Sequence, residues 1–242
     1  IVEAAPGTDF EPGQTVVATT GGMGRAYDGG YAEFTSVPSA FVHSVETELD
    51  WPQLAATPEV FHTVWGALEL SLGIKAGQTL LIRGGSSAVG LVAADYARVH
   101  GLTVLSTTRD TNKTGRLREF GVDHVIIDDG SIARSLLEIV PDGVDAIFDL
   151  VGTKVIGDSF ACVRRGGTLC IAGLLGGEWT IADFAPGAVI PSTTKFTYFS
   201  SSSTPMPTVA LQAYLDGLAA GRYRMPLDRV FRFDEIAAAH AC

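Results

Sequence analysis

A run of small residues, Gly84-Gly85-Ser86-Ser87-Ala88-Val89-Gly90, separates the apolar stretch Thr79–Ile82 from Leu91, Val92, Ala94, Ala97 and Val99, which recur at helical spacing. Small side chains at a strand-to-helix turn let a backbone approach a phosphate. The helix start adds unpaired N–H groups and the positive end of its dipole. The chemistry such a corner can do is to cradle a diphosphate. The spacing is incomplete, because G-x-G-x-x-G needs glycine at 85, 87 and 90, and position 87 is serine. The Ser87 hydroxyl could donate to a phosphate, but its Cβ narrows the approach. Glycine-rich turns also serve as plain packing devices, and the run alone leaves both readings open.

About twenty residues further on, where an acidic side chain would bind the ribose hydroxyls of NAD, stand Thr107-Thr108-Arg109, with Lys113 beyond. Hydroxyls and cations suit a 2′-phosphate, and Arg offers it a planar fork of donors. Asp110 is the opposing charge. The plainer reading makes Arg109 and Lys113 ordinary surface cations. A rival chemistry also starts at the turn: Gly84 to Ala88 is one residue short of G-x-S-x-G, with Asp149 and His240 following Ser86 in hydrolase order. A hydrolase would need strands and an oxyanion loop earlier in the chain, and it would leave Thr107–Arg109 unexplained.

The elements that must hold these residues follow from periodicity. Strands are expected at Thr79–Ile82, Leu102–Thr107, His124–Ile127, Val144–Leu150 and Gly167–Ala172. Helices are expected at Lys113–Phe120, Ile132–Val140 and Val155–Val163. Such alternation implies an α/β fold, a doubly wound parallel sheet with ligands beyond the carboxyl ends of its strands. Gly84–Val89, Thr107–Arg109, Leu150–Gly152 and Gly173–Gly177 should then share one crevice. Asp149 could orient a cofactor group or cap the next turn. Before the sheet, Thr15–Ala18, Tyr31–Val37 and Phe41–Val45 read as short strands, and Val60–Ile74 as an amphipathic helix. After it come a strand at Lys195–Ser200, a helix at Met206–Ala220, a strand at Arg229–Phe233 and a final helix capped by Asp234.

Composition bounds the rest. Of 242 residues, 46% are hydrophobic and 18% charged, which permits a large core. A net charge of −10 argues against nucleic acid or an anionic membrane as partner. Cys162, Cys170 and Cys242 are too scattered for a disulfide framework or a four-cysteine metal site. No signal peptide or membrane-spanning run is read, and a reducing cytoplasm is the expected compartment. The five histidines read as surface or structural, Cys162 and Cys170 as packing residues, and Trp51, Trp65 and Trp179 as core or interface aromatics. The chain opens and closes inside patterns, as a piece of a longer protein would.

The ordered segments PGQTVVA, GGYAEFTSVP, AATPEVFHTVWGAL, GIKAGQTLLIRGGSSAVGLVAADYARVHG, LREFGVDHVIID, FDLVG and RRGGTLCIAGLLGGEW resemble the medium-chain dehydrogenase/reductase superfamily, within it the zinc-independent, zeta-crystallin-like quinone oxidoreductases. The resemblance implies a Rossmann domain over residues 51–225, part of a GroES-like β-barrel over 1–50, and a return segment to that domain over 226–242. It implies NADP(H) as cofactor. Thr63 would lie beside it, Ser87, Ala88 and Val89 under the pyrophosphate, and Thr107, Arg109 and Lys113 at the 2′-phosphate. Val151, Gly152, Gly173 and Leu174 would hold the nicotinamide. Hydride transfer to a quinone or an enone is the implied reaction, with the catalytic residue unknown within this chain. Glu59 stands where zinc-dependent relatives carry a cysteine, so no metal is expected. A homodimer is implied, with Lys195–Ser200 as its candidate edge. A form that binds the cofactor without turnover is the alternative.

Overall fold

A computed structural model describes residues 1 and 3–241, so Cys242 lies outside the described residues. The elements run β1 (Val16–Ala18), β2 (Val42–Ser44), α1 (Trp51–Ala56), α2 (Pro58–Trp65), β3 (Thr79–Arg83), α3 (Ala88–Val99), β4 (Thr103–Thr108), α4 (Thr114–Glu119), β5 (His124–Ile127), α5 (Ala133–Ile139), β6 (Val144–Asp149), α6 (Ile156–Cys162), β7 (Val163–Ile171), α7 (Pro186–Val189), β8 (Lys195–Tyr198), α8 (Thr208–Ala219) and α9 (Ile236–Ala241). Six strands form a parallel sheet in the order β5-β4-β3-β6-β7-β8. The order reverses direction between β3 and β6, and a doubly wound sheet opens its ligand crevice at such a point.

Period two along each strand explains the layering. Leu80, Ile82, Val104 and Phe148 bury one face against α2, α3 and α8, with Val64, Leu91 and Leu215 among the partners. Leu81, Leu105 and Ile147 bury the other against α5 and α6, with Leu136, Ile156 and Phe160. β3 is apolar on both faces because both are covered.

Four segments depart from the expected elements. Tyr31–Val37 forms no strand, and Tyr31 and Phe34 are exposed. Arg229–Phe233 forms none either. Both have strand-like composition, but no neighbouring backbone pairs with them, and without one the pattern has nothing to bond. The helix expected over 60–74 begins at Pro58, an N1 proline, and passes at Gly66–Leu72 into a π-helical stretch that ends on Gly73 in the left-handed region. Asp50 caps α1 through the Gln53 N–H. Glu235, rather than Asp234, closes the last turn by accepting the Arg232 N–H. Cys162 and Cys170 are buried as expected, whereas Trp51 and Trp179 are exposed.

Candidate functional site

The turn after β3 is shaped by two glycines that allow no side chain. A Cβ on Gly85 would lie 1.7 Å from the Ser106 hydroxyl, and one on Gly90 would lie 2.5 Å from the Gly85 backbone. The first turn of α3 therefore rests directly on the loop. Ser87 is the N-cap: its Oγ accepts the Gly90 N–H at 3.1 Å and donates to the Gly84 carbonyl at 3.0 Å. That leaves the N–H groups of Ala88 and Val89, the first two helical positions, with no acceptor in their own helix. The Ser87 hydroxyl is engaged inside the loop, so its expected donation to a phosphate is corrected to capping.

Thr107 also departs from its expected role. It is buried, its Oγ1 accepts the Gly84 N–H at 3.0 Å, and it donates toward Asp128 at 3.4 Å. Thr107 shares its face of β4 with Leu105, while Ser106 and Thr108 turn toward the glycine loop, the period of a strand deciding which. Thr107 braces the turn and is not free for a 2′-phosphate. Arg109, just past the strand, and Lys113 are exposed and, among the described residues, form no ion pair. Asp110 caps the short turn at Thr111–Lys113 through the Asn112 N–H at 2.9 Å, so its charge is drawn into that turn.

The opposite wall joins as the sheet requires. Leu175 N–H donates to Leu150 O at 3.0 Å, and Gly176 N–H to Val151 O at 2.9 Å. Gly152, at φ +91°, packs against Gly173 O, and a Cβ on Gly84 would touch Leu175, Leu150 and Val151. Asp149 is wholly buried and accepts the N–H groups of Val151 and Gly152 at 2.8 Å each. It therefore orients the loop and does not itself face a ligand. Burial pushes its carboxyl above the ordinary range, opposed by the Gly152 N–H, the Ser159 hydroxyl and the Arg83 charge. Thr63 is held to its own helix, its hydroxyl donating to Glu59 O at 3.2 Å. Leu174 also lines an apolar recess of about 440 Å³ that runs past Trp179 and Phe184 to Phe196 and Tyr198 on β8.

Beneath the turn lies a group the sequence reading passed over. Arg83 is fully buried. Its guanidinium meets Asp128 at 2.9 and 3.1 Å, Asp158 at 2.8 Å and the Ser159 hydroxyl at 2.9 Å. Ser159 in turn donates to Asp149 at 2.6 Å. One cation thus ties the ends of β3, β5 and β6 to α6. An arginine closing an apolar strand immediately before a glycine turn was the available signal. Burial alone would raise the Asp128 carboxyl, but the Arg83 hydrogen bonds and charge hold it below the usual carboxylate range.

The hydrolase constellation is not assembled. Asp149 is aimed at backbone, His240 packs edge-on against Tyr31, and the Ser86 hydroxyl meets only Thr108 at 3.4 Å. Burial raises the thiols of Cys162 and Cys170 to about 12, which keeps them protonated and inert near neutrality. His43 and His62 are buried structural residues, bonded to the Thr208 hydroxyl at 2.9 Å and the Thr204 carbonyl at 2.7 Å. No group of three His, Cys, Asp or Glu among the described residues is placed to hold a metal ion.

Residues 88–212, more than half of the chain, match the family of zinc-binding dehydrogenases. The chain is 26% identical over 99% of its length to the quinone oxidoreductase of Pongo abelii, covering 72% of that protein. It is 27% identical over 88% of its length to that of Sus scrofa, covering 64% of it. The chain therefore spans about two thirds of these relatives. Among solved structures, 2-haloacrylate reductase superimposes with a TM-score of 0.86 at 23% identity, over 100% of this chain and 76% of that one. Escherichia coli quinone oxidoreductase, solved as its NADPH complex, gives 0.82 at 18% identity, over 97% and 72%. At such identities the likeness is one of fold. With the glycine corner, the strand order and the family match together, the chain belongs to the family of zinc-binding dehydrogenases.

Proposed function

We propose that this protein is an NADPH-dependent oxidoreductase that reduces a quinone or an α,β-unsaturated carbonyl without zinc. The observation that carries the reading is the pairing of two acceptor-free N–H groups at the start of α3 with two exposed cations beyond β4, Arg109 just past the strand and Lys113 before α4, neither in an ion pair among the described residues. The first suits a diphosphate and the second a 2′-phosphate. Ala88 and Val89 would hold the pyrophosphate, and Arg109 and Lys113 the 2′-phosphate. Val151, Gly152, Gly173 and Leu174 would flank the nicotinamide, and Thr63 would lie beside the cofactor. Both relatives named above as quinone oxidoreductases support the same assignment. When bound, the reduced nicotinamide supplies a hydride. The chain's own part is to bind the cofactor through backbone N–H groups, fix the loops through Arg83 and Asp149, and shield the crevice with Leu175.

The zinc-free reading rests on Glu59, whose carboxylate takes hydrogen bonds from Thr20 and Ser201. Residues 1–50 fit a partial GroES-like domain and 226–242 a return to it, around the Rossmann domain at 51–225. A homodimer formed through the free edge of β8, in the cytoplasm, completes the proposal; exposed Phe196 and Tyr198 support that edge. No helix among the described residues is long and apolar enough to cross a membrane.

The test is a titration of the intact protein with NADPH and NADH by intrinsic fluorescence, followed by NADPH oxidation in the presence of 1,2-naphthoquinone or a simple enone. Arg109→Gln should weaken NADPH binding by about tenfold or more and leave NADH unchanged, as loss of a charged phosphate contact requires. A preference for NADH in the unaltered protein overturns the assignment. Binding without any oxidation would leave the protein a cofactor-binding module, a reading favoured by the want of an evident acid–base residue among those lining the crevice.

A further inference from the structure

We propose that the Glu59 carboxylate sets the charge preference of the active site, admitting neutral acceptors and disfavouring those bearing a carboxylate or sulfonate. The inference rests on the reductase reading above and names the substrate class within it. Glu59 lies in the first turn of α2 and is exposed. Three donors from two other segments converge on it: the Thr20 N–H at 3.2 Å, the Thr20 hydroxyl, and the Ser201 hydroxyl at 2.6 Å.

Topology places this cluster on the substrate side. Ser201 follows β8 past its carboxyl end, the side of the parallel sheet on which the crevice opens. Thr20 follows β1 from the small antiparallel sheet. Thr63, expected beside the cofactor, is one turn along α2. The frame around Glu59 is fixed from both sides. His62 on the same helix binds Thr204 O at 2.7 Å, and the Phe199 ring occupies the space a Cβ on Gly66 would need.

The decisive feature is the kind of partner. Among the described residues no Lys, Arg or His lies within ion-pairing distance of Glu59. All its donors are neutral, so they position the negative charge without cancelling it. A like charge entering beside this exposed carboxylate meets a repulsion that water and salt weaken but do not remove.

The experiment compares 1,2-naphthoquinone with its 4-sulfonate on the intact protein and on Glu59→Gln. Affinities are measured without cofactor by quenching of tryptophan fluorescence, and kcat/KM is measured with NADPH. Comparing ratios between the two proteins removes the intrinsic reactivity of each quinone. The preference for the neutral quinone should fall by about tenfold in Glu59→Gln, in affinity and in kcat/KM alike. A ratio that does not move overturns the proposal. If Glu59→Gln does not fold, a salt series on the unaltered protein decides: added salt should improve binding of the sulfonate and leave the neutral quinone unchanged, and equal responses overturn it. Reduction of neither quinone despite tight NADPH binding sinks the reductase reading and this inference with it. Reduction of both at a ratio indifferent to Glu59 sinks the inference alone.

Discussion

Ser87 does with its own hydroxyl what a ligand oxygen does in an all-glycine corner: it accepts the Gly90 N–H. Ser87→Gly should therefore tighten NADPH binding several-fold, by returning one donor to the phosphate, while lowering stability by less than about 1 kcal/mol. Calorimetric titration and urea melts read both effects, and weaker binding would mean that the hydroxyl turns to the phosphate itself. Arg83 is held by burial and three acidic neighbours. Replacing it with Met leaves Asp128 buried without its counter-charge and should cost about 3–5 kcal/mol in urea unfolding. The buried imidazoles give a second residue-scale expectation. Burial holds His43 and His62 below the ordinary histidine value; the His62 charge adds to the lowering at His43, while the Thr204 carbonyl and the Glu59 charge oppose it at His62. The unfolded chain then takes up protons that the folded one resists. Stability from these two groups is complete above about pH 6.5 and declines as pH falls below it. Urea midpoints that hold steady from about pH 7 to about pH 5.5 would contradict this.

At the scale of elements, the contact of α3 with the loop beneath it sets the site's geometry. Gly90→Ala puts a methyl carbon into the Gly85 backbone, where nothing can rotate away. The helix must shift, with an expected cost of about 1–3 kcal/mol and a loss of NADPH affinity of about tenfold or more. Thermal melts and the same titration check it. The elements around this contact were legible in the sequence. A doubly buried strand has no polar face, and Leu91, Val92, Ala94 and Ala97 mark the helix with Ser87 as its cap. Tyr31–Val37 and Arg229–Phe233 misled because strand propensity reflects packing against a neighbour that these segments lack.

For the molecule as a whole, the free edge of β8 is the proposed point of pairing. Phe199 N–H donates inward to Ile171 O, so the N–H groups of residues two apart, including Thr197, point to β7. Those of Phe196 and Tyr198 point out of the sheet. Proline at Thr197 would break the fold's own ladder, and Tyr198→Pro is the substitution that removes an outward donor. Tyr198→Pro should elute as a monomer in sizing chromatography with its melting temperature little changed; an unaltered elution volume argues against this edge.

The order of strands and helices, the glycine turn and the cations beyond β4 are properties of neighbouring residues, and local periodicity was enough to read them. Which polar groups remain free was settled only by folding. Thr107 and Arg109 are two residues apart, yet one is bound inward to Gly84 and the other faces solvent. Arg83 finds Asp128 at a separation of 45 residues, and Glu59 finds Ser201 at 142. A hydrogen-bond partner so distant along the chain leaves no trace in local pattern, because the pairing exists only once the sheet has brought the two ends together.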